Sequence, residues 1–135
     1  MSLDIQQREH EGIAILDLKG RITMGEEAGA LREKVSLLAG GGSTSIIVNL
    51  AHVDYIDSTG LGAMVMCSTT VRKAGGSLKL ENLNRRNIEL LVMTKLATVF
   101  DLFTDEQDAV NSFFPDREIK KFDILNFVEE MKKEE

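Results

Sequence analysis

The chain has 135 residues, a length that fits one domain able to bury a core of its own. Apolar residues make up 43% of the chain and charged residues 28%, which is ordinary globular composition and argues against disorder over most of the length. The net charge of -6 argues against a nucleic-acid-binding protein, because such proteins normally present a basic face.

The sequence carries no sign of a membrane span or of a secretory signal. No apolar run approaches the length of about 18 residues that a spanning helix needs, and the N-terminus lacks the basic-then-apolar pattern of a signal peptide. Cys67 is the only cysteine, which excludes an internal disulfide and fits a reducing compartment. We therefore expect a cytoplasmic protein without membrane contact.

The first predicted elements are a hairpin and a helix. Two short alternating segments, residues 3–7 and 13–18, are joined by polar residues and predict a β-hairpin at the edge of a sheet, with Gly20 as its end. Residues 26–39 carry apolar side chains at helical spacing, with acids at the start and glycines at the end. This pattern predicts a helix.

The following segments alternate between strand and helix. The β-branched run at residues 45–50 predicts a strand that is covered on both faces. After it the pattern predicts, in order, a helix over 58–73, a strand over 77–81, a helix over 85–93, a strand near 99–100, and a helix that is capped at Thr104 and reaches Phe114. This alternation predicts an α/β fold with a mostly parallel sheet, right-handed crossovers and an antiparallel N-terminal edge strand.

Residues 115–135 are predicted to form a helical C-terminal extension to a domain of residues 1–114. Its apolar residues stand among charged ones, and most of them could share one helical face: Ile119, Phe122, Ile124, Leu125, Phe127, Val128 and Met131. We favour a helix packed on its own domain, because an exposed apolar face is unusual on a monomer. The alternative is a helix that docks into the groove of a partner, which includes a second copy in a homodimer.

Catalytic and metal-binding patterns are absent from the sequence. His10 and His52 have no nucleophile or metal ligand at a telling spacing, and Cys67 lies in an apolar run that favours a buried, inert thiol. Asp54 and Asp57 are two carboxylates without further oxygen ligands, which is a weak metal signal. We predict no enzymatic activity, no metal and no cofactor.

One hexapeptide stands out between the buried strand and the next helix: Asp57-Ser58-Thr59-Gly60-Leu61-Gly62. It follows the carboxyl end of a central parallel strand, where open α/β sheets place their sites. Ser58 is positioned as a helix N-cap, and the two glycines would let another molecule's backbone approach closely. A phosphoryl group on Ser58 would meet free amides and the positive end of the helix dipole, and would change the surface charge by about -2. The residue types leave both roles of Ser58 open, as a cap and as a phosphoacceptor.

The hexapeptide resembles the signature Asp-Ser-Ser/Thr-Gly-Leu/Ile-Gly of STAS domains, and in particular of bacterial anti-sigma factor antagonists. The resemblance runs from the opening hairpin to about Phe114. Four further segments support it, namely residues 18–22 (LKGRI), 47–50 (IVNL), 75–80 (GGSLKL) and 93–96 (MTKL). It implies a single STAS domain that works as a non-enzymatic binding module.

The resemblance also implies a mechanism of transcription regulation. The unphosphorylated antagonist binds an anti-sigma factor, which is often also a serine kinase, and so frees the sigma factor. The kinase phosphorylates the first serine of the signature, here Ser58, and a phosphatase of the PP2C type resets it. The residues that would line the contact surface are those around this serine: Asp57, Thr59, Gly60, Leu61 and Gly62.

Two residues outside the hexapeptide are further candidates for partner contact. Thr23 stands where many antagonists carry an aspartate near the phosphoacceptor, and its hydroxyl cannot supply that negative charge. On a helical wheel Met66 points outward beside Gly62, and methionine is an adaptable contact residue.

Two other functions remain open at this point. A constitutive scaffold or accessory subunit of a signalling or lipid-transport complex would use Ser58 only as a helix cap. A sensor of a small ligand such as a nucleotide or a lipid is a weaker alternative.

Overall fold

The computed structural model describes residues 3–134. Within them, five strands form one sheet: β1 Leu3–His10, β2 Ile13–Ile22, β3 Ser45–Ile56, β4 Ser77–Glu81 and β5 Leu102–Phe103. The helices are α1 Glu26–Gly40, α2 Ser58–Lys73, α3 Arg85–Met93, α4 Glu106–Asn111 and α5 Ile124–Lys133. No helix in the described part of the chain is both long and apolar enough to cross a lipid bilayer.

The strands lie in the sheet in the order of the sequence, β1-β2-β3-β4-β5. β1 pairs antiparallel with β2, and every other neighbouring pair is parallel. The predicted α/β fold with an antiparallel N-terminal edge is thus confirmed. Right-handed crossovers that all step in one direction place α1, α2 and α3 on the same face of the sheet.

Both faces of the central strands are covered. Leu16 and Val48 belong to the larger apolar cluster, which lies between the sheet and α1 to α3. Ile15 and Ile47 alternate with them and join a smaller cluster that α4 closes on the opposite face. Since neither face of β2 or β3 meets solvent here, these segments read as continuous apolar runs rather than as alternating ones.

The last strand lies three residues beyond its predicted place. The prediction at residues 99–100 is wrong, because β5 consists of Leu102 and Phe103. Leu80 pairs with Leu102, and Glu81 pairs with Phe103. A strand of two residues has no periodicity of its own, so its pairing with β4 determines its position.

Three other predicted boundaries also move. Gly20 does not end β2, because its positive φ of 119° accommodates a register shift against β3, and the strand continues to Ile22. Asp105, and not Thr104, caps α4, since its carboxylate accepts the amide hydrogen of Asp108 at 3.1 Å. That helix ends at Asn111 rather than at Phe114.

The C-terminal segment covers the edge of the sheet before it forms α5. The amide of Phe122 donates to the carbonyl of Leu102 at 2.9 Å, which satisfies part of the exposed edge of β5. Phe122 and Ile124 pack against the larger core, whereas Leu125 remains 78% exposed and α5 has no fully buried residue. The packing of this segment against the core is therefore concentrated at the start of the helix, while Glu134 just beyond its end pairs with Arg85.

A cluster of charged groups lies on the α4 face at the end of β4. Glu81 is fully buried at 0% exposure, and neither of its oxygens has a hydrogen-bond partner within residues 3–134. Burial raises the pKa of Glu81 to about 9, and the Glu106 carboxylate adds to this rise. Arg8 donates hydrogen bonds to Glu106 and, at 2.6 Å, to Asp17. The bond to Glu106 lowers the pKa of that carboxyl to about 2. Glu81 is accordingly protonated at neutral pH while Glu106 is ionised.

Candidate functional site

Asp57 joins the start of α2 to the loop after β2. Its backbone is extended and one carboxylate oxygen accepts the amide hydrogen of Gly60 at 2.7 Å, so Asp57 is the N-cap of α2. Its other carboxylate oxygen accepts the amide hydrogen of Met24 at 3.0 Å. The prediction that Ser58 caps this helix is wrong, because the aspartate one position earlier occupies that role.

Gly60 and Leu61 lie inside the protein, contrary to the prediction that they line the contact surface. A Cβ atom added to Gly60 would lie 1.9 Å from the carbonyl oxygen of Ile22, so only glycine lets the first turn of α2 approach β2 this closely. The side chain of Leu61 is 5% exposed and belongs to the larger core. Both residues position the site and do not present side chains to a partner.

Three residues of the hexapeptide face solvent: Ser58, Thr59 and Gly62. Ser58 is the first residue of α2, and its hydroxyl makes no hydrogen bond to any residue that the structure describes. A Cβ atom at Gly62 would meet nothing within 4 Å. The fold therefore does not require glycine at 62, and the bare backbone there is open to another molecule.

Thr23 lies in the loop between β2 and α1, beside Asp57 in the fold. Its hydroxyl donates to a carboxylate oxygen of Glu27 at 2.9 Å, and its carbonyl accepts the amide hydrogen of Ala28 at 3.0 Å. The threonine at 23 thus binds a carboxylate of the first turn of α1 although it carries none itself. Sequence reasoning missed Glu27, for which the spacing of four residues from Thr23 was the available signal.

A groove of about 300 Å³ opens next to Ser58, between the end of β3 and α3. Its lining comes from these two elements and from the start of α2: Tyr55, Ile56, Asp57, Ser58, Arg86, Asn87, Glu89, Leu90 and Met93. The guanidinium carbon of Arg86 lies 5.0 Å from the ring centroid of Tyr55. Sequence reasoning missed Arg86 and Met93, since nothing local to α3 shows which of its residues meet the hexapeptide.

Met66 points outward as the helical wheel predicts, with 50% of its surface exposed, while Met64 is buried. It does not line the groove beside Ser58. It borders a separate small hollow together with Arg32 and Ser36 of α1. Its contact with a partner stays a prediction.

The remaining candidates have structural surroundings. Cys67 is buried, as predicted, and burial raises the pKa of its thiol to about 11, so the unreactive neutral form prevails at neutral pH. His10 lies 3.2 Å from a carboxylate oxygen of Glu106, on the α4 face and away from the hexapeptide. Neither side chain touches Ser58.

The model of the STAS domain family matches residues 4–109, most of the chain. The chain belongs to the STAS domain family. The family resemblance seen in the hexapeptide is thus confirmed. Among curated relatives, this STAS domain is 36% identical over 110 residues to the anti-sigma-B factor antagonist of Bacillus subtilis, covering 82% of this chain and 99% of that one. It is 28% identical over 114 residues to the anti-sigma-F factor antagonist RsfB of Mycobacterium tuberculosis, covering 81% and 88% of the two chains.

Solved structures share the fold of this STAS domain. An anti-sigma factor antagonist from Mycobacterium paratuberculosis superposes with a TM-score of 0.73 at 20% identity, covering 83% of this chain and 94% of that one. The anti-sigma factor antagonist SpoIIAA in its unphosphorylated form gives a TM-score of 0.70 at 19% identity, with 85% and 100% covered. The Bacillus protein SpoIIAA in its phosphorylated form gives 0.62 at 20% identity, with 81% and 98% covered.

Proposed function

We propose that this STAS domain is an anti-sigma factor antagonist that binds an anti-sigma factor of the serine kinase type and is switched off by phosphorylation of Ser58. The observation that carries the proposal is the state of Ser58, which is exposed at the first position of α2 and whose hydroxyl bonds to nothing within residues 3–134. Asp57 and Gly60 hold the helix start without it. The fold can therefore accept a change at Ser58 that a partner cannot. The names of the curated relatives support the same function.

The switch is an electrostatic one. The kinase transfers the γ-phosphoryl group of ATP to the serine oxygen, ADP leaves, and the hydroxyl proton is released. The phosphate adds a charge of about -1.5 to -2 at neutral pH. Asp57 and Glu89 already line this groove, so a partner surface matched to the neutral hydroxyl meets concentrated negative charge and must desolvate it. A PP2C-type phosphatase would restore the binding form.

Exposed apolar side chains surround the switch serine and suit a protein partner. Met24, whose amide is bound by Asp57, is 68% exposed, and Met93 at the other side of the groove is 75% exposed. Tyr55, the last residue but one of β3, lines the same groove and is also exposed. Methionine and tyrosine supply adaptable apolar area at interaction surfaces. We expect the anti-sigma factor to cover these residues together with Thr59 and Gly62.

The kinase and the binding steps can be tested separately. The full chain is incubated with the purified anti-sigma kinase and ATP, and mass spectrometry locates the phosphate; we expect one phosphate, on Ser58. Binding to the same kinase is measured by calorimetry for the wild type, Ser58→Ala and Ser58→Asp. The aspartate of Ser58→Asp should cost the complex one or two hydrogen bonds, each worth about 1.5–3 kcal/mol. Binding of this variant should therefore be at least tenfold weaker than that of the wild type.

Ser43→Asp is the matched control, since it adds the same charge at an exposed serine just before the start of β3, whereas Ser58 follows the far end of that strand. We expect it and Ser58→Ala to bind like the wild type. Undiminished binding by Ser58→Asp would contradict the switch and favour the constitutive scaffold.

Gly62→Ala separates partner contact from folding. The added methyl group meets nothing within the fold, so stability should not fall, whereas a partner backbone that approaches residue 62 closely should bind less tightly. Unchanged affinity for the kinase would remove Gly62 from the proposed interface.

A further inference from the structure

We propose that Arg86 is the residue that binds the phosphoryl group on Ser58. In the unmodified protein its guanidinium rests over the ring of Tyr55, and phosphorylation draws it away to pair with the phosphoryl oxygens. This inference rests on the proposed phosphorylation of Ser58 and names the side chain that responds to it.

The two residues are brought together by the tertiary fold. Ser58 begins α2 and Arg86 is the second residue of α3, and both line the groove of about 300 Å³ beside the end of β3. Arg86 is exposed, so its long side chain can change rotamer without disturbing the core.

Arg86 is the basic residue among those that line the groove, and no carboxylate of the described residues pairs with it. Within residues 3–134 it forms no ion pair and no side-chain hydrogen bond, and its contact is the 5.0 Å approach to Tyr55. A cation over an aromatic ring is held weakly at an exposed site. The guanidinium is therefore free to leave when a stronger anion arrives.

The acidic side chains that line the same groove are already engaged. Asp57 accepts the amide hydrogens of Gly60 and Met24, and Glu89 pairs with Arg85 at 3.1 Å. Arg85 also pairs with Glu134, the residue that follows α5. A phosphate on Ser58 would thus meet one uncommitted cation in the groove, namely Arg86.

The chemistry of the two groups matches. A guanidinium presents a planar fork of N–H donors that binds two phosphoryl oxygens at once, and such charge-assisted pairs are stronger than neutral hydrogen bonds. Movement of Arg86 would also uncover the ring of Tyr55. Phosphorylation would then change the shape of the partner surface as well as its charge.

The test needs no kinase. Phosphoserine is encoded genetically at position 58 of the full chain, and a ³¹P NMR titration measures the second pKa of the phosphate. A nearby guanidinium favours the doubly charged phosphate, so the phosphate pKa in the otherwise wild-type protein should be lower than in Arg86→Gln by about 0.2–0.7, the range for an exposed ion pair. Lys73→Gln is the control, an equal loss of charge at the exposed lysine that ends α2, about 22 Å from Ser58 along the helix, and it should keep the lower pKa. Thermal melts verify that both variants are folded.

Equal phosphate pKa values in Arg86→Gln and the parent protein would overturn the proposal. An equal rise of the phosphate pKa in Lys73→Gln and Arg86→Gln would overturn it too, because it would reflect general charge and not a specific contact. Failure of the kinase to label Ser58 would contradict the proposed function and leave this result unaffected, so the two failures can be told apart.

Discussion

Replacing Glu81 by glutamine should stabilise the protein and remove much of its pH dependence above pH 5. Glu81 is fully buried without a hydrogen-bond partner in the described part of the chain, and its pKa is raised from 4.5 to about 9. The folded protein therefore keeps the proton up to about pH 9, whereas the unfolded chain releases it near pH 4.5. Between these values the unfolded state binds fewer protons, so the free energy of unfolding falls as the pH rises.

The size of the effect follows from this difference in pKa. Each pH unit between the two values costs about 1.4 kcal/mol of stability. At a pH of roughly 7.5, three units above the ordinary pKa, Glu81 would lower the free energy of unfolding by up to about 4 kcal/mol. Partial screening of the Glu81 charge within the cluster reduces this figure. Glutamine has the same shape and does not titrate. We expect Glu81→Gln to be more stable than the wild type by about 2–4 kcal/mol at that pH, and equally stable near pH 4.5.

Urea unfolding at pH values of roughly 5, 6.5 and 8 measures the difference. His10 lies 3.2 Å from Glu106 in the same cluster. It is present in both proteins, so its contribution largely cancels when they are compared. Glu118→Gln, at an exposed glutamate, is the control and should follow the wild type at every pH. A stability difference between Glu81→Gln and the wild type that stays constant with pH would refute the reasoning.

Three further outcomes are expected from the hexapeptide and its helix. Gly60→Ala should lower the free energy of unfolding by at least about 1–3 kcal/mol because its Cβ would meet a backbone carbonyl. Gly62→Ala should raise the free energy of unfolding by about 0.5–1 kcal/mol. Urea melts that rank the two variants in the opposite order would contradict the assigned packing. Asp57→Ala should cost about 1–2 kcal/mol through loss of the cap, and Asp57→Asn, which keeps an acceptor, should cost less in the same melts. Cys67 should react with a thiol reagent only in denaturant, because burial raises its pKa to about 11; fast labelling of the native protein would show that it is accessible.

Local patterns in the sequence were sufficient for the elements that carry strong periodicity. The predicted helices over 58–73 and 85–93 and the strand over 77–81 begin and end where α2, α3 and β4 do. Each consists of residues whose spacing satisfies one repeat, so the information lies within the segment. The alternation of these segments was also enough to predict a mostly parallel sheet.

Contacts from distant parts of the chain decided what the sequence could not show. Asp57 rather than Ser58 caps α2 while binding Met24, which is 33 positions away. Gly60 and Gly62 are the same residue type on the same helix, and only the carbonyl of Ile22 distinguishes a packing glycine from an open one.

By itself, then, the sequence determined the order of strands and helices and the segment at which the site lies. The tertiary structure decided which residues of that segment support the fold, which face solvent, and that Arg86 joins them from α3. The physical reason is that helix and strand periodicity are local, whereas burial, close backbone approach and the pairing of charges depend on what the fold brings alongside.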